Sequence, residues 1–257
     1  MGSDLKLEDF VQDLPRTRPL YLEDAYITSF NATVLRAELE GKRNVYLILD
    51  ATAFHPKSGG QPSDTGILEG PDFKISVKKS MVLHGVIVHF GTAEGRLGER
   101  VLGKIDWKSR YLYMKRHTSG HLLDHCLEGA TGTNVETTDS WLGEGCYVAY
   151  RGRAPSKEAV AQAIRIENEL IPEGRIVQIE EITWEELLHR APCAPNLQRL
   201  PSLEKYRIVT IEGFTPIPCA GTHLHNIREI GRIRLMTIEQ FETDFRIYYD
   251  VAESLTV

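Results

Sequence analysis

The sequence predicts an α+β fold in two parts, a small N-terminal β-barrel followed by an α+β domain. Residues 26–107 consist of short β-type runs that glycines interrupt, which is typical of a small barrel or sandwich. The remaining chain mixes helical periodicity with strands but lacks the regular strand–helix alternation of a parallel α/β sheet. We therefore expect a β-barrel domain at residues 1–105 and an α+β domain at residues 106–257.

In the first part, each expected strand is bounded by a glycine-containing turn. A hairpin is expected around Gly41, between the first two runs. The expected strands lie at residues 28–39, 45–49, 67–68, 73–77, 86–90 and 101–105.

In the second part, helices are expected where a capping residue precedes apolar periodicity. Asp106 is expected to cap a helix at residues 107–128 that Gly129 ends, and Ser156 a second helix that stops before Pro172. Thr183 has the capping-box spacing of a short helix. Strands are expected at residues 176–182, 207–211, 230–236 and 245–251.

Composition and charge limit the class of protein. The chain is 42% hydrophobic and 26% charged and contains no apolar run long enough for a membrane span, so we expect no membrane partner. We expect no signal peptide in the acidic N-terminus and no disulfide framework among four scattered cysteines, which indicates a cytoplasmic protein. The net charge of −6 argues against non-specific coating of nucleic acid but is compatible with a local basic surface.

Two half-sites far apart in the sequence predict a metal centre. His117 and His121 are four residues apart, which places both imidazoles on one face of the expected helix. Cys219 and His223 follow a proline-rich turn. Three imidazoles and a thiolate are ligands that zinc prefers.

Two further histidines leave the choice of ligands open at this point. His125 continues the helical stripe, so that His121 and His125 form an alternative pair with the same spacing. His225 competes with His223 in the same way.

Residues 54–66 form a glycine-rich run, Phe-His-Pro-Lys-Ser-Gly-Gly-Gln-Pro-Ser-Asp-Thr-Gly. Consecutive glycines permit positive φ and expose backbone N–H groups to a ligand. The run lacks the ending of a P-loop and the spacing of a dinucleotide fingerprint, so by itself it predicts a turn between strands.

Together these motifs resemble the editing domain of alanyl-tRNA synthetase and its free-standing relatives, the AlaX-type trans-editing proteins. Residues 54–66 are similar to the glycine-rich motif of that family, and residues 116–123 are similar to its His-Thr-x-x-His-Leu-Leu helix. Residues 219–223 are similar to its Cys-x-Gly-Thr-His motif. The three motifs occur in the family's order, and most of the chain is covered.

The resemblance implies a barrel that carries the glycine-rich loop and an editing domain that carries one zinc ion. It implies an aminoacyl-tRNA deacylase that needs no ATP and protects translation fidelity by removing serine, or glycine, from mischarged tRNA for alanine. The presence of the glycine-rich domain indicates the medium-sized AlaX type. The implied zinc ligands are His117, His121, Cys219 and His223.

The resemblance also implies contacts to the substrate. The backbone N–H groups of Gly59, Gly60 and Gln61 are candidate oxyanion or substrate contacts, and threonine hydroxyls are candidate partners for a serine hydroxyl. Residues 137–140 (Thr-Thr-Asp-Ser) stand where the synthetase usually has Gln-x-Gly-Ser, so Thr137 or Thr138 is expected to substitute for the glutamine. The other candidate hydroxyls are Thr52 and Thr118, ahead of Thr65 and Thr222.

The expected partner is the acceptor end of tRNA, and no protein partner is implied. Basic residues around the start of the first long helix are candidate phosphate contacts, although such a run is also typical of a solvated helix face. The alternatives are an editing hydrolase for Ser-tRNA(Thr), a non-catalytic zinc-stabilised RNA-binding module, and a generic zinc hydrolase, which the missing His-Glu-x-x-His helix disfavours. The basic residues are Lys104, Lys108, Arg110, Lys115 and Arg116.

Overall fold

The computed structural model describes residues 6–252, and its contacts divide the chain into two compact units. Unit 1 contains the residues up to Ser58 together with Pro62–Tyr111. Unit 2 contains Gly59–Gln61 together with the residues from Leu112 onward. The division falls inside a helix, whereas the boundary expected at residues 105 and 106 lies at the start of that helix. The short glycine segment 59–61 belongs to unit 2, although its neighbours in sequence belong to unit 1.

Unit 1 is built around a closed six-stranded barrel in the order β2-β3-β7-β6-β5-β8. Its elements are α1 (Leu7–Val11), β1 (Arg18–Pro19), α2 (Leu20–Glu23), β2 (Ser29–Glu40), β3 (Asn44–Leu49), β4 (Ala51–Thr52), β5 (Gly66–Gly70), β6 (Phe73–Leu83), β7 (Val86–Gly95) and β8 (Arg100–Ile105). The short strands β1 and β4 pair in parallel outside the barrel.

The barrel confirms the small β-barrel that the sequence predicts. The first half of β2 pairs with β8 and the second half pairs with β3, with a register shift after Val34, so one bent strand closes the barrel. Inward-facing residues such as Leu47, Leu68 and Ile75 fill the interior. Strands β6 and β7 extend beyond their predicted ends because their long hairpin continues past the buried alternating residues.

The helix α3 (Trp107–Thr131) spans the division between the units and carries two of the predicted ligands. Asp106 caps its start, because the Asp106 carboxylate accepts from the Ser109 N–H at 3.4 Å and from the Ser109 hydroxyl at 2.7 Å. The helix passes Gly129 and ends before Gly132, which has a φ of +68° and donates its N–H to Glu128 O. The end predicted at Gly129 was therefore wrong, since Gly132 supplies the left-handed cap.

Unit 2 continues with a four-stranded sheet in the order β14-β15-β10-β9 and a three-stranded sheet in the order β11-β12-β13. Its further elements are β9 (Thr137–Trp141), β10 (Tyr147–Arg151), α4 (Lys157–Leu170), β11 (Val177–Ile182), α5 (Trp184–Arg190), β12 (Tyr206–Ile211), β13 (Ile217–Pro218), β14 (Arg232–Gln240) and β15 (Asp244–Ala252). Short 3-10 turns occupy Ile171–Glu173, Leu197–Arg199 and Ile227–Ile230.

The caps predicted for α4 and α5 are confirmed. Ser156 accepts from the Ala159 N–H, and Thr183 forms a reciprocal capping box with Glu186. The strand expected at residues 230–236 begins two residues later, because Ile230 ends a 3-10 turn that the side chain of Asn226 caps. In the described part of the chain, no helix is both long and apolar enough to cross a membrane.

Candidate metal centre

Four side chains of unit 2 converge on one point. His117 and His121 come from successive turns of α3, while Cys219 and His223 flank a tight turn after β13. One potential ligand atom from each residue lies within 4.8 Å of the others. This cluster can hold a metal ion, and it is the pair of half-sites that the sequence spacing predicts.

The spacing of the donors fits zinc. Cys219 Sγ lies 3.3 Å from His117 Nε2 and 3.4 Å from His223 Nε2. Tetrahedral zinc, with Zn–S near 2.3 Å and Zn–N near 2.0–2.1 Å, separates sulfur and nitrogen ligands by about 3.6 Å. His121 contributes a third ring, whose Nδ1 is buried without a hydrogen-bond partner in the described chain. Three imidazoles and a thiol at this spacing suit a borderline-soft divalent ion.

Burial keeps the three imidazoles in the neutral form that a ligand requires. Loss of solvent lowers the pKa of His117 to about 3, and the nearby positive charge of Arg207 acts in the same direction. Burial also lowers the pKa of His121 and of His223 well below the usual value, with a further contribution from His117. Burial raises the pKa of the Cys219 thiol, so this thiol needs a nearby cation to become a thiolate.

The hydroxyl of Thr118 orients one of the ligands. Thr118 is fully buried on α3, and its Oγ1 lies 3.2 Å from His223 Nδ1 while accepting from the Leu224 N–H at 3.1 Å. Since His223 Nε2 faces the sulfur, this contact at Nδ1 fixes the ring orientation. The structure thus places Thr118 behind a candidate metal ligand, and its predicted contact with substrate stays a prediction.

The turn between Cys219 and His223 is shaped by Gly221. A Cβ at this position would lie 2.2 Å from His117 Cε1 and 3.0 Å from Gln61 Oε1. Only a residue without a side chain lets His117 pack against this backbone. Arg207 holds the same turn from another side by donating to Cys219 O at 2.7 Å and to Gly221 O at 3.0 Å.

Within unit 2, the side chain of Gln61 holds the turn between Cys219 and His223 at two points. Gln61 Nε2 donates to Thr222 Oγ1 at 2.8 Å, and the Thr222 N–H donates to Gln61 Oε1 at 3.1 Å. Both side chains are fully buried. The structure therefore brings part of the predicted glycine-rich motif directly onto the residue that precedes His223.

The preceding glycines contact strand β9 and the residue after it. Gly60 has a φ of +81°, and a Cβ there would lie 2.3 Å from Ser140 O. Gly60 O accepts from the Leu142 N–H at 3.0 Å, and Gly59 O accepts from the Ser140 hydroxyl at 3.4 Å. Both the backbone conformation and this close approach require glycine at position 60.

Two comparisons with known families agree with these motifs. Residues 10–109 match the family model of class II (A) tRNA synthetases, and residues 206–248 match the second additional domain of threonyl and alanyl tRNA synthetases. The alanyl-tRNA editing protein AlaX-M of Methanosarcina mazei is 34% identical over 258 residues, which is 92% of this chain and 97% of that protein. The chain belongs to the AlaX-M family.

Other relatives place this family beside a larger enzyme. The AlaX-M protein of Methanosarcina acetivorans is 32% identical over 92% of this chain and 100% of its own length. The alanine–tRNA ligase of Ignicoccus hospitalis is 30% identical over 91% of this chain but only 26% of its own length. The chain thus spans nearly all of an AlaX-M protein and about a quarter of the ligase.

Strand β9 carries Thr137 and Thr138, the two threonines that the resemblance suggests as substitutes for the glutamine of the synthetase. The hydroxyl of Thr137 already has a hydrogen-bond partner within the protein. Both the N–H and the hydroxyl of Thr137 donate to Pro195 O, at 2.8 and 3.2 Å. Thr138 lies in a β-bulge against β10, and its hydroxyl oxygen is shielded from solvent without a partner in the described chain. Bulges commonly re-aim a side chain beside an active site. The structure therefore distinguishes two residues that the sequence left equivalent.

Thr52 has its bonds inside unit 1. His89 Nδ1 lies 3.2 Å from Leu47 O, which only accepts, so Nδ1 carries the proton and Nε2 accepts from the Thr52 hydroxyl at 3.0 Å. Thr52 Oγ1 also accepts from the Phe54 N–H. This hydroxyl holds the barrel interior together, and its predicted contact with substrate stays a prediction.

The basic residues expected to contact tRNA occupy different environments. The prediction was wrong for Arg110, which is fully buried and pairs with the equally buried Asp64 while donating to Ala25 O and Ala53 O. A guanidinium closed off from solvent has no access to phosphate. Arg116 is also largely buried, donating to Asp250 at 2.9 Å and to Leu142 O and Gly143 O. Lys104 and Lys108 are exposed, and Lys115 is half-buried.

The competing histidines lie outside the cluster. The His125 ring stacks on Phe214 at 4.7 Å, and His225 is exposed. Sequence reasoning missed the contacts that Arg207 and Thr222 make around the turn between Cys219 and His223, since neither residue is a candidate metal ligand. Of the other cysteines, Cys126 and Cys146 are buried, which raises the pKa of both thiols, and Cys193 is exposed.

Proposed function

We propose that this chain is a zinc-dependent hydrolase that removes serine from mischarged tRNA for alanine. The observation that carries the proposal is the convergence of His117, His121, Cys219 and His223 in a chain that matches AlaX-M proteins along nearly their whole length. Those relatives are named as alanyl-tRNA editing proteins. The reaction is hydrolysis of an ester and needs no ATP.

Ester hydrolysis requires a polarised carbonyl, an attacking water and a stabilised oxyanion. The four clustered side chains would hold a zinc ion, which would supply Lewis-acid chemistry through a position left open by one of the four or added by expansion of the coordination shell. Thr118 keeps His223 in the orientation that points Nε2 into the cluster, and burial keeps all three rings neutral. The backbone N–H groups of the segment Gly59–Gln61 are proposed to donate to the oxyanion or to the substrate carbonyl.

Selectivity for serine is proposed to depend on Thr138. A second site that corrects a small alanine pocket must recognise the hydroxyl that alanine lacks. The Thr138 hydroxyl is shielded from solvent and has no partner in the described chain, so a bond to the serine hydroxyl requires that the bulge open when substrate binds; that bond would then recover the free energy of the unpaired group. We therefore expect Thr138→Val to slow hydrolysis of the seryl ester by about tenfold and to leave the glycyl ester nearly unchanged.

Thr137→Val is the matched control for Thr138→Val. The Thr137 hydroxyl bonds to Pro195 O, so its loss should lower stability without changing the ratio of seryl to glycyl hydrolysis. An unchanged ratio in Thr138→Val would show that this hydroxyl does not read the amino acid.

The proposed partner is the acceptor end of tRNA. Lys108 is exposed and suited to contact phosphate, Lys104 is exposed but its amine pairs with Glu69 at 2.5 Å and would have to leave that partner, and Lys115 is a third candidate. We exclude Arg110 from this role because its burial leaves no surface for a ligand.

The central experiment measures deacylation by the purified protein together with its metal content. Three substrates are compared, Ser-tRNA(Ala), Gly-tRNA(Ala) and Ser-tRNA(Thr), because residues 206–248 match a domain shared by threonyl and alanyl synthetases. We expect one zinc per chain and fastest hydrolysis of Ser-tRNA(Ala). If none of the three esters is hydrolysed faster than in buffer, the enzymatic proposal fails.

Cys219→Ala separates an enzyme from a zinc-stabilised binding module. In an editing hydrolase the variant loses metal and activity while the barrel and sheets stay folded. In a module whose metal serves only folding, unit 2 unfolds when metal is lost. Circular dichroism and thermal unfolding, with and without a chelator, distinguish the two outcomes.

A further inference from the structure

We infer that the Gln61 side chain is a positioning residue for the metal loop, defined as residues 219–223. The inference rests on the proposed metal site and is independent of which aminoacyl group is removed. The resemblance to the editing family suggests that residues 59–61 contact the substrate through their backbone N–H groups. The side-chain contacts of Gln61 give this residue a second and separate role, which is to position the metal loop.

The first argument is that both the oxygen and the nitrogen of the Gln61 amide are hydrogen-bonded. Its oxygen accepts from the Thr222 N–H and its nitrogen donates to Thr222 Oγ1, at 3.1 and 2.8 Å. Both partners belong to one fully buried residue, so the two bonds fix the position and the rotation of Thr222 together. A side chain held in this way contacts protein and leaves substrate recognition to other groups.

The second argument is the place of Thr222 in the metal loop. It precedes the ligand His223 directly and follows Gly221, whose missing side chain lets His117 and Gln61 pack against the same backbone. Any shift of Gln61 away from Thr222 frees the segment that joins two ligands and supports a third. Outer partners of this kind set metal affinity by fixing the orientation of the ligands.

The third argument is that the other end of the segment is also held. Gly60 O accepts from the Leu142 N–H, Gly59 O accepts from the Ser140 hydroxyl, and the backbone of Gly60 lies against Ser140. The segment 59–61 therefore braces the end of strand β9 against the metal loop within unit 2. Since β9 also carries Thr138, the brace joins the proposed serine-reading strand to the metal ligands.

The test measures the metal site without any tRNA. Gln61→Met removes both hydrogen bonds but keeps the length of the side chain, and Thr222→Val removes only the bond to Oγ1. Zinc affinity is measured by competition with a chelator. The sulfur-to-cobalt absorption of the Co²⁺-loaded protein reports ligand geometry. We expect Gln61→Met to bind zinc about 10- to 100-fold more weakly and to alter the cobalt spectrum, with a smaller change in the same direction for Thr222→Val.

Asn168→Leu is the matched control. The Asn168 amide also bonds to one residue at two points, accepting from the Ile233 N–H at 3.0 Å and donating to Ile233 O at 3.0 Å. It lies on α4 and is outside the metal cluster. Its loss should lower thermal stability while zinc affinity and the cobalt spectrum stay as in the original protein.

The outcomes separate this inference from the proposed function. Wild-type zinc affinity and cobalt spectrum in Gln61→Met overturn the positioning role, even if deacylation is lost. If Gln61→Met does not fold, Thr222→Val decides, because unchanged affinity and spectrum there overturn the inference equally. Absence of deacylation in the original protein, with zinc affinity still sensitive to Gln61, contradicts the proposed function alone.

Discussion

Substitution of Gly221 by alanine tests how closely the metal loop is packed against helix α3. The added Cβ would lie 2.2 Å from His117 Cε1 and 2.6 Å from His117 Nδ1. Non-bonded carbon atoms normally stay about 3.5 Å or more apart, so the imidazole or the loop must move by about 1.3 Å. The Gln61 oxygen, at 3.0 Å, restricts movement on its own side.

A displacement of this size is more than half the length of a zinc–nitrogen bond of about 2.0–2.1 Å, which is too much for the imidazole to stay within bonding distance of the ion. We expect Gly221→Ala to purify with substoichiometric zinc and to lose about 100-fold in deacylation rate, the usual order for a misplacement near 1 Å. Metal content is measured on protein dialysed against a fixed free-zinc concentration. Deacylation is then followed on the same sample with excess Ser-tRNA(Ala).

Gly129→Ala is the control, since it places the same substitution on the helix that carries His117. Apart from the neighbouring backbone of its own helix, no atom of the described residues lies within 4 Å of the added Cβ, and Gly129 has helical backbone. The control should gain about 0.5–1 kcal/mol of stability with unchanged zinc content. If Gly221→Ala also retains full zinc content and rate, the packing described for His117 is wrong.

Three further predictions concern groups outside the metal cluster. Asp64→Asn leaves the fully buried Arg110 guanidinium without its counter-charge and should cost about 3–5 kcal/mol in chemical denaturation; a loss below about 1 kcal/mol would show that the pair is not structural. Burial lowers the pKa of His89 to about 4, compared with 6.5 in the unfolded chain. The neutral ring therefore makes its full contribution to the free energy of unfolding above pH 6.5, and this contribution falls by roughly 3 kcal/mol as the pH drops to 4. His89→Gln should therefore flatten the pH dependence of the unfolding free energy in that window, and an unchanged slope would contradict the assignment. Lys108→Ala should reduce the salt dependence of tRNA binding by the equivalent of about one phosphate contact. Lys157 is also exposed but lies on α4, so Lys157→Ala should leave the salt dependence unchanged. Equal effects of the two substitutions would show that tRNA does not bind at Lys108.

Local signals in the sequence predicted the starts of helices, because a helix cap depends only on residues that are neighbours in the chain. Asp106, Ser156 and Thr183 each accept a hydrogen bond at the start of the helix that they were expected to cap. Helix ends are less certain from sequence, because Gly129 and Gly132 look alike and only their backbone conformations differ. Strands β9 and β10 were not predicted, since β9 is polar and contains a bulge that breaks the alternation of a strand.

Contacts between residues far apart in the sequence could not be predicted, even where the sequence analysis had singled out one of the residues involved. The ligand spacing indicated a metal cluster because each half-site is local, and the resemblance to the editing family then selected His117, His121, Cys219 and His223 over His125 and His225. Gln61 contacts a residue 161 positions away, and Arg110 contacts one 46 positions away. A buried arginine and an exposed one have the same charge in a sequence. Only the fold shows that Arg110 stabilises the barrel unit while Lys108 remains at the surface.

The four cysteines provide an internal gauge of metal occupancy. Cys126 and Cys146 are buried with raised thiol pKa values, which makes them slow to alkylate. The exposed Cys193 should react with iodoacetamide whatever the metal content. Cys219 is half-buried and its thiol pKa is also raised, so it should react more slowly than Cys193 and only in molecules whose ion has left, and labelling has to continue until Cys219 gains no more label. The ratio of label on these two sites, read by mass spectrometry of peptides, would therefore report the loaded fraction in a crude sample.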